Sequence, residues 1–116
     1  MAGFTHTIDV SRDFSRVPGG RFARLGPHSG EEFRRRVLTP ALQRARLQGG
    51  KVVVKLDGAV GYPVSFLEEA FGGLVRADGF QLEELKAMLV LEAKAQRFQV
   101  RRDLAWSYIN AAAGQA

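Results

Sequence analysis

The side chains of this 116-residue chain with the types to do chemistry are Ser65, the two histidines His6 and His28, three Glu-Glu pairs and an arginine-rich first half. Ser65 could accept a phosphate or attack a carbonyl, but a nucleophilic serine needs a base, and only two histidines exist to supply one. His6 alternates with Phe4 and Ile8 and reads as a half-buried strand residue, while His28 falls in a loop. Metal binding finds no ligand spacing such as HxxxH, and the absence of cysteine removes thiolate sites and disulfides. Glu31-Glu32, Glu68-Glu69 and Glu83-Glu84 are sequence neighbours about 100° apart on a helix, so they read as solvated faces. Gly49-Gly50-Lys51 precedes a strand, the wrong context for a phosphate-cradling loop. These residues assemble no catalytic site, no metal site and no cofactor site, and the expectation is a protein that is not an enzyme.

Ser65 is positioned by the most structured stretch of the chain, KVVVKLDGAVGYPVSFLEEAFGGLV, from Lys51 to Val75. Val52, Val53, Val54 and Leu56 form a near-continuous aliphatic run, which predicts a central strand covered on both faces. Asp57-Gly58 ends it, and Gly61-Tyr62-Pro63 carries a loop. A helix is predicted from about Ser65, with Phe66, Leu67, Ala70, Phe71, Leu74 and Val75 along one stripe. Ser65 and Glu68 have capping-box spacing, so the serine reads either as a cap alone or as a cap and a regulated site. Gly72-Gly73 costs roughly 1 kcal/mol per glycine inside a helix. Either a close backbone approach compensates or the helix ends early.

This stretch resembles the core of the STAS fold, the anti-sigma-factor antagonist type of domain, and most closely a bacterial STAS-like family of unknown function. The resemblance is carried by the strand VVVKLDG, the loop Pro63-Val64-Ser65-Phe66-Leu67 and the run SFLEEAFGGL. It extends to Arg21, to Ser29-Gly30-Glu31 and to Thr39-Pro40-Ala41-Leu42. By that resemblance Ser65 falls on the serine that partner kinases phosphorylate, and Leu67 on the leucine that follows it. Pro63 and Val64 replace the family's acidic residue and first serine, and Phe66 replaces its glycine. The resemblance implies a regulatory module that docks a kinase-like or anti-sigma partner through Gly58 to Glu69, with Tyr62, Pro63, Val64, Glu68 and Glu69 as contacts and Ser65 as phosphoacceptor.

The flanking elements frame that core. Phe4, His6, Ile8 and Val10 predict a half-buried strand, residues 11–20 a turn-rich connection, and Arg21 to Leu25 a short strand returning as its hairpin partner. Ser29 and Glu32 again have capping-box spacing, at the head of a helix running to about Gln48 that Pro40 must kink or restart, with Thr39 able to cap its second half. Ala87 to Leu91 reads as a strand by the resemblance, whereas the Leu, Glu, Lys, Ala and Met of residues 82–94 favour helix. A last helix places Val100, Leu104, Tyr108 and Ala112 on its apolar stripe, with Ala105 and Ile109 beside them and Gly114 at its end. The sum is a single α/β domain over 1–116, a mixed sheet of about four strands with about three helices.

Composition admits a second reading. Seventeen Lys and Arg against twelve Asp and Glu give a net charge of +5. Arg34, Arg35, Arg36 and Arg44 could attract nucleic acid phosphates, although the first three point in different directions around a helix. No apolar run approaches a membrane span, and the opening MAGFTHTIDV has no basic segment followed by an apolar stretch. The expectation is a cytoplasmic protein with no membrane partner.

Overall fold

The computed structural model describes residues 4–114. Three strands, β1 (Thr5–Asp9), β2 (Lys51–Lys55) and β3 (Leu89–Glu92), form a sheet in that order. All pairing is parallel, with Thr5 beside Lys51, Ile8 beside Val54, Val52 beside Leu89 and Lys55 beside Glu92. Among the described residues the sheet is therefore purely parallel and three-stranded, where a mixed sheet of about four strands was expected. β2 is central as predicted, but it is covered on one face only. Val52, Val54 and Leu56 are fully buried, whereas Lys51 and Lys55 are exposed and Val53 half-buried between Thr7 and Val90.

Arg21–Leu25 is no strand. Residues 23–25 form a single 3-10 turn, and the backbone groups around them are spent elsewhere: Gly30 N donates to Gly20 O, Glu31 N to Arg21 O, and Ala23 N to the Glu31 carboxylate. A chain folded back onto the start of the next helix has no ladder to offer a sheet.

Among the described residues, five helices surround this frame. A single turn, α1 (Val10–Asp13), follows β1. Next, α2 runs unbroken over 30–48, as Gly30–Phe33, a π-turn Arg34–Leu38 and Thr39–Gln48. Ser29 caps it as predicted, its hydroxyl accepting from Glu32 N at 3.1 Å. Pro40 neither restarts nor ends this helix. The preceding π-turn, in which Thr39 N reaches back five residues to Arg34 O, widens the ladder so that the proline is absorbed. Thr39 is no cap; its hydroxyl donates to Asp78 at 2.6 Å. Gly49, left-handed at φ 67°, closes α2.

Beyond β2, α3 spans 64–76 with its own π-turn at Glu68–Gly72, so the glycine pair does not end it. Residues 82–94 hold both predicted alternatives: α4 (Leu82–Met88), capped reciprocally by Gln81 and Glu84, then β3. Finally α5 (Gln96–Ala112) buries Phe98, Ala105 and Ile109. Of the expected face, Ala105 and Ile109 are buried and Leu104 and Tyr108 pack against the core, whereas Val100 lies outside. One apolar cluster joins all these elements against the covered face of the sheet.

Candidate docking surface

α2 and α3 cross so closely that small residues are required. A Cβ on Gly30 would overlap the Phe66 backbone oxygen, and one on Gly73 would meet the Arg34 guanidinium. Gly73 is thus the answer to the unfavourable glycine pair: without a side chain, it lets Arg34 lie across α3. Arg34 is buried there, its Nη2 2.9 Å from the Glu69 carboxylate, its Nη1 3.0 Å from Asp78, and its Nε donating to Glu69 O at 3.1 Å. The acceptor carbonyl belongs to the π-turn of α3, where the wider ladder admits a side chain.

This seam reassigns several residues singled out in the sequence. Glu68 and Glu69 are not a solvated face. Glu68 pairs with Arg21 and Arg76, and Glu69, buried, pairs with Arg34 and Arg76. Burial would raise the Glu68 pKa, but hydrogen bonds from Arg76 and Arg21 outweigh it and hold the carboxyl below its ordinary range. Arg34 cannot meet a nucleic acid phosphate while it is sealed against Glu69. Arg35 and Arg36 are exposed but sit beside Glu31 and Glu32 one turn back, leaving Arg44 as the member of that group with no such neighbour among the described residues.

Ser65 is not the helix cap. Pro63 holds the capping position with extended backbone, no side chain caps the end, and Leu67 N makes its bond to Pro63 O. Ser65 is instead the second helical residue, partly exposed, near amides that have no intrahelical partner. Local spacing suggested a box, but Glu68 is drawn away by arginines distant in sequence.

The loop before α3 is fastened at every turn. Tyr62 is buried, packs on Phe66 and Phe98, and donates its hydroxyl to Leu56 O at 2.8 Å. Burial, with the charges of Asp9 and Asp57 adding to it, pushes the phenol pKa up. Tyr62 therefore pins the loop rather than presenting a contact. Asp57 accepts from Lys94 N and Ala95 N at 2.8 and 3.0 Å, tying the end of β2 to the start of α5. Val60 N donates to Arg16 O, and Arg97 donates to Val60 O. Gly58, at φ 98°, lies where a Cβ would meet Ser11 Oγ.

What this rigid loop displays is apolar. Val60 is 64% exposed and Val64 49%, with Pro63 also exposed between them. Val17, 56% exposed, and Val100, 59% exposed, stand beside them across two adjoining grooves that share Gly61, Tyr62 and Arg101. The ledge lies past the carboxyl end of β2, the side on which open α/β sheets place their binding sites. Of the expected contacts, Pro63 and Val64 lie on it. Val60 lies in the expected loop, whereas Val17, Val100, Arg97 and Arg101 were not anticipated; the signal available was the i, i+3, i+4 spacing of Arg97, Val100 and Arg101 near the start of α5. His6 stacks on Phe4 with ring centroids 6.0 Å apart, and His28 meets the edge of Phe14, so each histidine has a packing role. Among the described residues no group of three or more His, Asp or Glu stands close enough to hold a metal ion, and no helix is long and apolar enough to cross a membrane.

No curated protein and no solved structure matches this chain. A family model does match, over residues 29–92, from the cap of α2 through β2, the loop, α3 and α4 to the last residue of β3. The match begins at Ser29 and so does not reach the anticipated Arg21. Covering more than half of the sequence and all of the stretch from Lys51 to Val75, it places the chain in the family described as STAS-like domain of unknown function (DUF4325).

Proposed function

We propose that this protein is a non-enzymatic regulatory module that docks a partner protein on the ledge formed by Val17, Val60, Pro63, Val64 and the start of α3. One observation carries the reading: a loop fixed by Asp57, Arg97 and the buried Tyr62 holds aliphatic side chains out in water. Exposed apolar groups on a rigid support lose little entropy when covered, which favours a binding surface. Membership in a STAS-like family is consistent with such a module. The kinase-like or anti-sigma identity of the partner rests on the family resemblance.

Phosphorylation of Ser65 is the proposed control. A phosphate on the second residue of α3 would meet the positive end of the helix and its free amides. Glu68 and Glu69 oppose it less than their sequence positions suggest, because arginines neutralise both. Capture from the native host tests both parts. Val60→Asp should abolish retention of the partner and Ser65→Glu should reduce it by about tenfold, one charged group added at an apolar contact. Retention unchanged by Val60→Asp would sink the docking reading, and retention of nucleic acid in place of protein would move the function to exposed arginines such as Arg44.

A further inference from the structure

We infer that the docking ledge is built for an acidic partner segment, one carrying carboxylates around aliphatic side chains; this rests on the docking reading above and names the chemistry of what docks. The observation is unmatched charge beside exposed valines: Arg24, Arg44, Lys51, Lys55 and Lys94 also make no ion pair among the described residues, but none of them lines these two grooves. Carboxylates are paired throughout the seam and along the helices, and every ion pair among the described residues uses cations other than Arg16, Arg97 and Arg101. Arg97 and Arg101 line the ledge, and the backbone of Arg16 is tied to it. The Arg16 carbonyl accepts from Val60 N, Arg97 donates to Val60 O, and Arg101 lines both grooves.

Arg97 and Arg101 lie one turn apart on α5 with Val100 between them, so two guanidiniums and an aliphatic side chain share one face. Neither groove has an acidic residue in its lining. The nearest carboxylate on the loop, Asp57, is turned inward onto Lys94 N and Ala95 N. Arg97 also rests on the buried Phe98 ring, 4.1 Å from its centroid, which fixes where that charge is presented. Placing cations in the first turns of a helix opposes the dipole. A sequence that keeps two arginines there, unmatched, beside exposed valines offers a surface complementary to an anion with an apolar neighbour.

Fluorescence anisotropy with a peptide of alternating glutamate and leucine tests this, against matched peptides with lysine for each glutamate or serine for each leucine. The glutamate-leucine peptide should bind, and both controls should bind at least about tenfold more weakly. The double variant Arg97→Glu/Arg101→Glu should lose the same factor, with Arg97→Gln/Arg101→Gln intermediate and Arg44→Glu without effect; circular dichroism and a thermal melt verify that each variant is folded. Affinity should fall as salt rises. No binding of the glutamate-leucine peptide at low salt, equal binding of the lysine peptide, or an equal loss in Arg44→Glu would overturn the inference. So would tighter binding to anionic lipid vesicles or duplex DNA than to the peptide. If Val60→Asp abolishes partner capture while both arginine pairs leave it unchanged, the docking reading survives and the acidic partner does not.

Discussion

The α2–α3 seam and the ledge above β2 use the same residue types to opposite ends. In the seam, Arg34, Arg21 and Arg76 are matched to Glu68, Glu69 and Asp78 over glycines that let the groups close. On the ledge, Arg97 and Arg101 stand beside exposed valines with no carboxylate partner among the described residues. The first arrangement holds two helices together; in the second Arg97 reaches a single backbone carbonyl, that of Val60, and neither arginine meets a carboxylate among the described residues. A count of arginines therefore says little about binding; what decides is which of them the fold has already spent.

The largest effect should come from the seam. Arg34→Ala leaves the buried Glu69 carboxylate without its main partner and should cost about 3–5 kcal/mol in urea unfolding, the range for removing one member of a buried pair. A loss below about 1 kcal/mol would mean that water reaches Glu69 and that the seam is not sealed. Next comes Gly30→Ala, where the added methyl overlaps the Phe66 backbone and α2 must move away from α3. About 1–3 kcal/mol is expected from this overpacking, read in the same melts.

A smaller effect lies in acid. Glu68 is held below its ordinary 4.5 in the folded state. Its contribution is therefore complete above about pH 4.5 and disappears as pH falls through the lower folded value. Glu68→Gln should flatten the acid limb of a stability curve and leave the alkaline limb unchanged. The smallest effect is the counterpart on the ledge: Val60→Ser and Arg101→Gln should change stability by no more than about 0.5 kcal/mol. A larger loss in either would show that the ledge, like the seam, is part of the scaffold.

Elements whose signals are local were legible in the sequence. The Ser29 cap, the turns at Gly49, Gly58 and Gly79, the central place of β2 and the last helix each follow from neighbours within one turn of chain. Where a distant group intervenes, local spacing misled. Ser65 and Glu68 have the same spacing as Ser29 and Glu32, yet Arg21 and Arg76 claim Glu68 and Pro63 takes the cap. Pro40 reads locally as a kink or restart because the π-turn that accommodates it has no sequence rule. The cap of α4 used Gln81 in place of serine or threonine and went unread. The ledge was half legible: Pro63 and Val64 lie in the loop that the resemblance pointed to, whereas Arg97, Val100 and Arg101 reach it from α5, nearly forty residues later in the chain.

The all-parallel register has a consequence in time rather than in space. Thr5 lies beside Lys51 and Val52 beside Leu89, so neither ladder can begin as a hairpin, and each must wait for a crossover of dozens of residues to close. Until both crossovers have folded, the aliphatic run Val52–Leu56 has neither its flanking strands nor the helices that cover it. That interval before closure is when the chain is most open to pairing with a second copy of itself.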